Sequence, residues 1–122
     1  MKVLLGLGGT DESIRALEET VERAEAVGDD LEIAILEKPE ASRSREEMRA
    51  EAERIVEEAG LDAAVRDLEG DPGPALVDRA ERAGFDQVVI GGGTETPMGK
   101  IRLGPITEFV LLNASMTVKL IR

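Results

Sequence analysis

Residues 86–107 have the sequence DQVVIGGGTETPMGKIRLGPIT, and this stretch carries the most informative pattern in the chain. An apolar run ending at Ile90 leads into three glycines, a polar loop and then Gly104-Pro105 ahead of a helical pattern. Proteins of the α/β class build anion sites where a strand leads into a glycine loop and a helix, because backbone N–H groups and the helix dipole attract phosphate. A tight strand-to-helix connection without a ligand is the alternative interpretation of this loop.

Outward from this stretch, apolar runs alternate with helical patterns along the chain. Strands are predicted at residues 2–7, 31–36, 61–68, 85–90 and 116–122, and helices at residues 11–27, 42–59, 72–83 and 106–111. This alternation predicts an α/β fold, in which a doubly wound parallel five-stranded sheet carries helices on both faces. A length of 122 residues predicts a single domain, residues 1–122.

Capping residues mark the predicted helix ends. Thr10 and Asp71 stand where N-caps are expected, and Pro72 suits the first helical position because its missing N–H costs nothing there. Gly28 and Gly60 are expected to end the first two helices. The second helix is expected to bury the apolar side chains that recur at helical spacing, which are Met48, Ala52, Ile55 and Ala59.

The residue types that the chain lacks exclude several kinds of chemistry. It has no Cys, His, Tyr or Trp. Disulfides, thiolate metal sites, cysteine nucleophiles and the Ser-His-Asp triad are therefore excluded. Neither a catalytic residue nor a metal ligand is predicted.

The formal net charge of −11 limits the partners. Nucleic acids and anionic membrane surfaces would be repelled over most of the protein. No run approaches the ~18 apolar residues of a membrane span, and the N-terminus lacks a signal-peptide pattern, so a cytoplasmic location is expected. Only four of the 15 basic residues are lysines, and such an acidic surface suits the salt-rich cytoplasm of a halophile. An ordinary acidic protein is the alternative.

The predicted topology also indicates where a ligand would bind. In such a sheet, ligands lie beyond the carboxyl ends of the strands at the switch point, here between the first and fourth strands. Three segments are expected to meet there: residues 8–10, the end of the second strand near Leu36, and residues 91–104.

Three segments together resemble the universal stress protein family. LLGLGGTDES, residues 4–13, resembles the first strand and turn of that family. Gly70-Asp71-Pro72 with FDQVVIGG at residues 85–92 resembles its third helix and fourth strand, and LGPITEFVLLNASMTVKLIR at residues 103–122 resembles its last helix and strand. The resemblance implies a flavodoxin-like, Rossmann-like fold with strand order 3-2-1-4-5 and a dimer joined along the fifth strand. It also implies an ATP site in some members and none in others.

The resemblance assigns binding roles to particular residues. Members that bind ATP carry a glycine, two residues, a second glycine, nine residues and then Gly-Ser or Gly-Thr. On this chain the pattern falls on Gly91, Thr94, Gly104 and Pro105. An acidic residue near the nucleoside falls on Gly8, and a main-chain contact to adenine falls on Leu36. The candidate binding residues are Gly8, Gly9, Leu36, Gly91, Gly93, Thr94, Gly104, Ile106 and Thr107.

Three positions depart from the ATP-binding pattern. Gly8 has no carboxylate, and Thr94 has a side chain where the backbone should approach phosphate. Pro105 has neither the N–H nor the hydroxyl of the usual residue. Two lost hydrogen bonds to charged groups, at about 1.5–3 kcal/mol each, weaken binding by ~10²-fold or more. Lys100 and Arg102 can still supply positive charge to a phosphate.

These observations predict a small stress-response or regulatory protein with a degenerate nucleotide site. It binds ATP weakly or not at all and acts through protein partners. The alternative is an ATP-binding member that uses residues 91–107, with at most slow hydrolysis because no general base is apparent. A receiver-like or flavin-binding domain on the same fold is disfavoured, because no Asp ends the third strand and the only aromatic residues are two Phe.

The last strand, residues 116–122, is predicted to join two copies of the chain. Val118, Leu120 and Ile121 would make it an exposed apolar edge, and such an edge needs a partner. A homodimer paired along this strand would cover it. A buried terminal strand in a monomer is the alternative.

Overall fold

The computed structural model describes residues 1–39 and 41–122, with the backbone alone at Thr94. The elements in chain order are β1 (Lys2–Leu7), α1 (Asp11–Val27), β2 (Asp30–Ile35), α2 (Arg45–Glu58), β3 (Ala64–Asp67), α3 (Pro72–Arg82), β4 (Gln87–Gly91), β5 (Thr94–Glu95), β6 (Ile101–Arg102), α4 (Pro105–Asn113) and β7 (Thr117–Ile121). Five strands form one parallel sheet in the order β3-β2-β1-β4-β7. The predicted α/β class and the order 3-2-1-4-5 are confirmed, because β7 is the fifth strand of this sheet.

The core lies on both faces of β1, at the centre of the sheet. Leu5 is paired with Ile33 of β2 and with Val89 of β4, and these three side chains belong to one apolar cluster. Leu4 and Val88 belong to a second cluster on the opposite face, which α3 and α4 cover. A continuously apolar strand is therefore buried on both faces, as a central parallel strand must be.

The helix ends follow the capping chemistry of the sequence. The Thr10 side chain accepts a hydrogen bond from the Ser13 N–H at 3.2 Å at the start of α1. Gly28 ends α1 in the left-handed region, with φ of 76°. α2 begins at Arg45, three residues later than predicted, because Ser44 and Glu47 form a capping box there.

Two details of the predicted α2 and β3 are wrong. The buried residues of α2 are Met48, Ala52 and Val56, whereas Ile55 and Ala59 lie at the margin of the core. A four-residue spacing keeps the first three on one face of the helix. β3 is limited to Ala64–Asp67 and not 61–68, because it is an edge strand that pairs with β2 over four residues only.

A hairpin that the sequence pattern did not indicate interrupts the loop after β4. β5 and β6 pair in antiparallel fashion, with Thr94 opposite Arg102. The turn closes where the Thr96 N–H donates to the Lys100 carbonyl at 2.7 Å. Strands of two residues are too short to produce a detectable alternation, so the segment resembled an irregular polar loop.

Glu32 is a buried carboxylate of β2, and its partners show a structural role. Arg79 donates two hydrogen bonds of 2.8 Å to Glu32, which is 8% exposed, and the Arg66 Nε lies 3.5 Å from the same carboxylate. Burial raises the pKa of Glu32, but the hydrogen bonds and positive charge of Arg79 and Arg66 outweigh it and lower the pKa below its ordinary value. The group therefore stabilises the fold above its unfolded-state pKa, and this contribution is lost as the pH falls through the folded-state pKa.

The helices of the described residues are all too short or too polar to cross a bilayer.

Candidate functional site

The carboxyl ends of the central strands border two neighbouring cavities. The larger has a volume of about 650 Å³ and lies between the segment after β2, residues 37–39, and the first turns of α3 and α4. The smaller has a volume of about 130 Å³ and lies between the start of α1 and the two ends of the β5–β6 hairpin. This is the edge where the topology of a doubly wound sheet places ligands.

The larger cavity is mainly apolar. Proline rings, Ile106 and Phe109 line it, and its volume falls within the roughly 300–1,000 Å³ of small-molecule sites. The first turns of α3 and α4 both line it, and neither N-cap, Asp71 or Gly104, makes a side-chain capping hydrogen bond. The cavity can therefore accept a flat apolar group, with the positive ends of two helix dipoles nearby.

The smaller cavity is polar and of mixed charge. Lys38 and Arg102 supply positive charge, whereas Glu12 supplies negative charge. Gly92 and Gly93 expose backbone on one side. The hydroxyl of Thr107 lies beneath Gly92, since a Cβ built on that glycine would lie 3.0 Å from Thr107 Oγ1. An anion can be held here, but Glu12 opposes a highly charged one.

Lys38 connects the two cavities. It is the one residue, among the described part of the chain, that lines both. Its aliphatic stem crosses over the turn after β1, because a Cβ on Gly8 would lie 3.0 Å from Lys38 Cδ.

Two of the candidate glycines serve packing. Gly91 lies against the first turn of α1, where a Cβ would come within 2.4 Å of the Glu12 carbonyl oxygen. Gly9, with φ of 81°, lies beneath residues 41–43, and its carbonyl accepts a hydrogen bond from the Ser42 N–H at 3.2 Å. Both glycines are buried.

A model of the universal stress protein family matches residues 1–122, the whole length of the sequence. The chain belongs to the universal stress protein family. Stress response protein NhaX of Bacillus subtilis (strain 168) is 27% identical over 77 residues, which cover 63% of this chain and 46% of NhaX. The match thus spans less than half of that relative.

Solved structures of the family share the fold. A universal stress protein in complex with cAMP has a TM-score of 0.76 at 24% identity, with 100% of this chain and 96% of that chain covered. A family member from Arabidopsis thaliana with AMP bound has a TM-score of 0.72 at 18% identity, with 99% and 90% covered. These likenesses establish the architecture, and the ligands belong to those proteins.

The structure brings only some of the predicted binding residues into the cavities. Gly93, Gly104 and Thr107 line the smaller cavity, and Ile106 lines the larger. Apart from Thr94, the remaining predicted residues are buried and line neither cavity; they are Gly8, Gly9, Leu36 and Gly91. The backbone of Thr94 lies in β5, and its side chain lies outside the described residues. The role of each in ligand binding stays a prediction.

Several lining residues lie outside the predicted set. Phe109 and residues 70–74 line the larger cavity, although the latter pattern had indicated a helix start alone. Lys38 follows Leu36 by two residues, and its proximity to that candidate was the one available signal in the sequence. Of the two basic residues noted in the loop, Arg102 lines the smaller cavity, whereas Lys100 lies exposed in the hairpin and lines neither.

Proposed function

We propose that this protein is a regulatory stress-response member of its family that binds an adenine nucleotide weakly and acts through protein contacts. The observation that carries the proposal is a pair of cavities that share Lys38 as a lining residue. The larger one offers Phe109 and Ile106 to a flat base, and the smaller one offers Arg102 and glycine backbone to phosphate.

Three features of the site support weak binding of ATP. The Lys38 stem covers Gly8, at the position where ATP-binding relatives are expected to carry an acidic residue. Thr94 is held in the hairpin opposite Arg102, so the second glycine position of the motif is part of a strand. Pro105 begins α4 without an N–H to donate. Two lost contacts correspond to a weakening of ~10²-fold or more.

Calorimetric titration with ATP and Mg²⁺ tests this proposal. We expect a dissociation constant above about 100 µM, since the lost contacts move a low-micromolar site into that range. A low-micromolar constant would contradict the degenerate site. Mass spectrometry of small molecules released from the purified protein gives an independent reading of what it carries.

The alternative is an ATP-binding member that uses residues 91–107. One observation favours it: Gly93, Gly104 and Thr107 all line the smaller cavity together with Arg102. Replacing Arg102 with Met would then weaken ATP binding strongly, whereas replacing the exposed Lys100 with Met would not. In the degenerate site the wild-type dissociation constant for ATP already lies above about 100 µM, and Arg102→Met can only weaken this weak binding further.

We also propose a homodimer paired along β7, which is an edge strand in the single chain. The apolar side chains of β7 are largely covered by their own core, since Ile121 is buried and Val118 and Leu120 are half-buried. The unpaired feature of this edge in the single chain is the set of backbone N–H and C=O groups of β7 that face away from β4. The Ile121 carbonyl points to β4, where it accepts from the Gly92 N–H at 3.0 Å, so alternation turns the backbone groups of Val118 and Leu120 outward.

This geometry allows a matched test of the dimer. Val118→Pro removes an outward N–H without changing the residues whose backbone faces β4, while Val118→Ala removes side-chain volume and keeps the N–H. We expect wild type and Val118→Ala to sediment as dimers and Val118→Pro as a monomer. A wild-type monomer at micromolar concentration in matched salt would contradict the proposal.

We further propose a cytoplasmic location in a salt-rich cell, on the basis of the net charge of −11. Salt screens the repulsion between acidic side chains. Thermal unfolding should therefore occur at a clearly higher temperature in about 2 M potassium chloride than in dilute buffer. An unchanged midpoint would favour an ordinary acidic protein.

A further inference from the structure

The lining of the larger cavity contains few groups that can donate a hydrogen bond. Four of its lining residues are prolines, which have no N–H to donate; they are Pro39, Pro72, Pro74 and Pro105. Two of these prolines are the first and third residues of α3, so Gly73 supplies the only N–H of the first three positions of that helix. Lys38 is the one basic residue of the described lining, and it already has an interaction of its own. A ligand that must accept hydrogen bonds therefore finds few partners here.

Among the described residues, the carboxylate of Asp71 is an acceptor in this lining that has no partner. Asp71 is the N-cap of α3, and an N-cap oxygen ordinarily accepts from the second or third N–H of its helix. Pro74 occupies the third position, and Asp71 makes no side-chain capping hydrogen bond. The other carboxylate of the lining, that of Glu37, lies 3.9 Å from Arg45 Nη2. The Asp71 carboxylate is therefore left to accept a hydrogen bond from a ligand.

Phe109 provides an apolar wall of the same cavity. Its ring packs against the start of α3, since a Cβ built on Gly73 would lie 3.0 Å from Phe109 Cδ1. Gly73 is buried, and Phe109 packs against the second apolar cluster, so the ring is held in place. A planar ring can stack on such a wall. Because Asp71 and Gly73 are two residues apart, the acceptor and the stacking surface meet at one helix start.

We propose that the larger cavity selects a planar base that donates a hydrogen bond, and that Asp71 is the specificity-determining residue that accepts it. Adenine has this chemistry, because its exocyclic amine is a donor at the edge of an apolar ring. The adenosine moiety is uncharged, so the net charge of −11 does not oppose it. This inference rests on the proposed function, since it places the adenine in the larger cavity, and it adds the group that recognises the base.

Two nucleosides that differ only in the amine provide the first test. Adenosine and purine riboside, which carries a hydrogen in place of the amine, are titrated into wild-type protein and followed by NMR chemical shifts. Neither nucleoside has a phosphate, so the smaller cavity does not enter the comparison. We expect adenosine to bind about tenfold more tightly, the lower end for a hydrogen bond to a charged group, because Asp71 is exposed. Equal affinities overturn the inference.

Substitutions at Asp71 identify the acceptor. In Asp71→Ala the preference for adenosine should fall to about one. In Asp71→Asn it should be about threefold, because an amide oxygen accepts a weaker hydrogen bond than a carboxylate does. Glu69→Gln is the matched control, since Glu69 is exposed, lies two residues away and lines neither cavity, so the tenfold preference should persist. A tenfold preference that persists in Asp71→Ala overturns the inference.

Urea unfolding separates recognition of the base from helix capping. Because Asp71 makes no side-chain capping hydrogen bond, the unfolding midpoint of Asp71→Ala should lie close to that of Glu69→Gln. If Asp71 served as a cap alone, its replacement would lower the midpoint and leave the preference for adenosine unchanged. That result contradicts the inference.

The outcomes also distinguish this inference from the proposed function. If wild type binds adenosine and purine riboside equally, only the role of Asp71 fails. If ATP binds with low-micromolar affinity, the degenerate site fails, whereas a tenfold preference for adenosine still supports the role of Asp71. If neither nucleoside nor ATP binds up to millimolar concentration, both fail. The wild-type comparison decides these cases even if a variant does not fold.

Discussion

The turn after β1 and the turn after β4 both begin with glycines at the carboxyl end of a central strand. In the first turn, Gly8 lies under the Lys38 stem and Gly9 under residues 41–43. In the second, Gly91 packs on α1, whereas Gly92 and Gly93 line the smaller cavity. Two glycine-rich turns in one fold therefore serve different purposes, and only the atoms packed against each glycine distinguish them.

Gly91→Ala should have the largest effect on stability. Its new Cβ would lie 2.4 Å from the Glu12 carbonyl oxygen, and backbone of a packed helix cannot move aside cheaply. We expect the free energy of unfolding in urea to fall by about 3 kcal/mol, at the upper end for overpacked sites.

Gly92→Ala is the matched control for this substitution. Its Cβ would lie 3.0 Å from Thr107 Oγ1 and 3.8 Å from Leu120 Cδ1, so both neighbours are side-chain atoms and neither is helix backbone. We expect a loss below about 1 kcal/mol, together with weaker nucleotide binding. Equal losses in the two variants would mean that Gly91 and Gly92 are not distinguished by packing.

Gly9→Ala should have an intermediate effect. With φ of 81°, an alanine there is strained by about 1–2 kcal/mol, and its Cβ would also lie 2.9 Å from that of Ala41. Gly28→Ala has a similar φ of 76° but no atom within 4 Å, so it measures the strain alone. The free energy of unfolding in urea should therefore fall by about 1 kcal/mol more in Gly9→Ala than in Gly28→Ala. Identical values would show that residues 41–43 do not press on the first turn.

Thr10→Ala should destabilise the protein less than Gly91→Ala or Gly9→Ala. The Thr10 hydroxyl caps α1 through the Ser13 N–H, so its loss should cost about 1 kcal/mol, and Thr10→Ser should restore most of this. Because the hydroxyl is committed to the helix, AMP affinity should change little, although Thr10 lines the smaller cavity. If Thr10→Ala had normal stability but lost AMP binding, the Thr10 side chain would be a ligand contact.

The success of the sequence-based predictions depended on the length of each pattern. Strands such as β1 and β4 are continuous apolar runs, so their existence, order and central position were predictable. The ends of α1 followed from Thr10 and Gly28, which act through local hydrogen bonds. The β5–β6 hairpin was missed because its strands have two residues each and carry no periodic signal.

The candidate site was less predictable than the fold. The glycine loop after β4 was identified, but the sequence could not separate Gly91, which packs on α1, from Gly93, which lines a cavity. The sequence pattern gave Phe109 no role in a site, whereas the structure places it against the apolar core and in the lining of the larger cavity. Both points concern what lies opposite a residue, and that neighbour is distant in the chain.

The amino-acid sequence by itself determined the element order, the parallel sheet, the absence of Cys and His chemistry and the strongly acidic surface. These properties depend on composition and on periodic patterns that each segment carries alone. Only the tertiary structure placed Lys38 over Gly8 and divided the carboxyl edge into two unequal cavities. Such an arrangement depends on contacts between segments far apart in the chain, which local patterns do not encode.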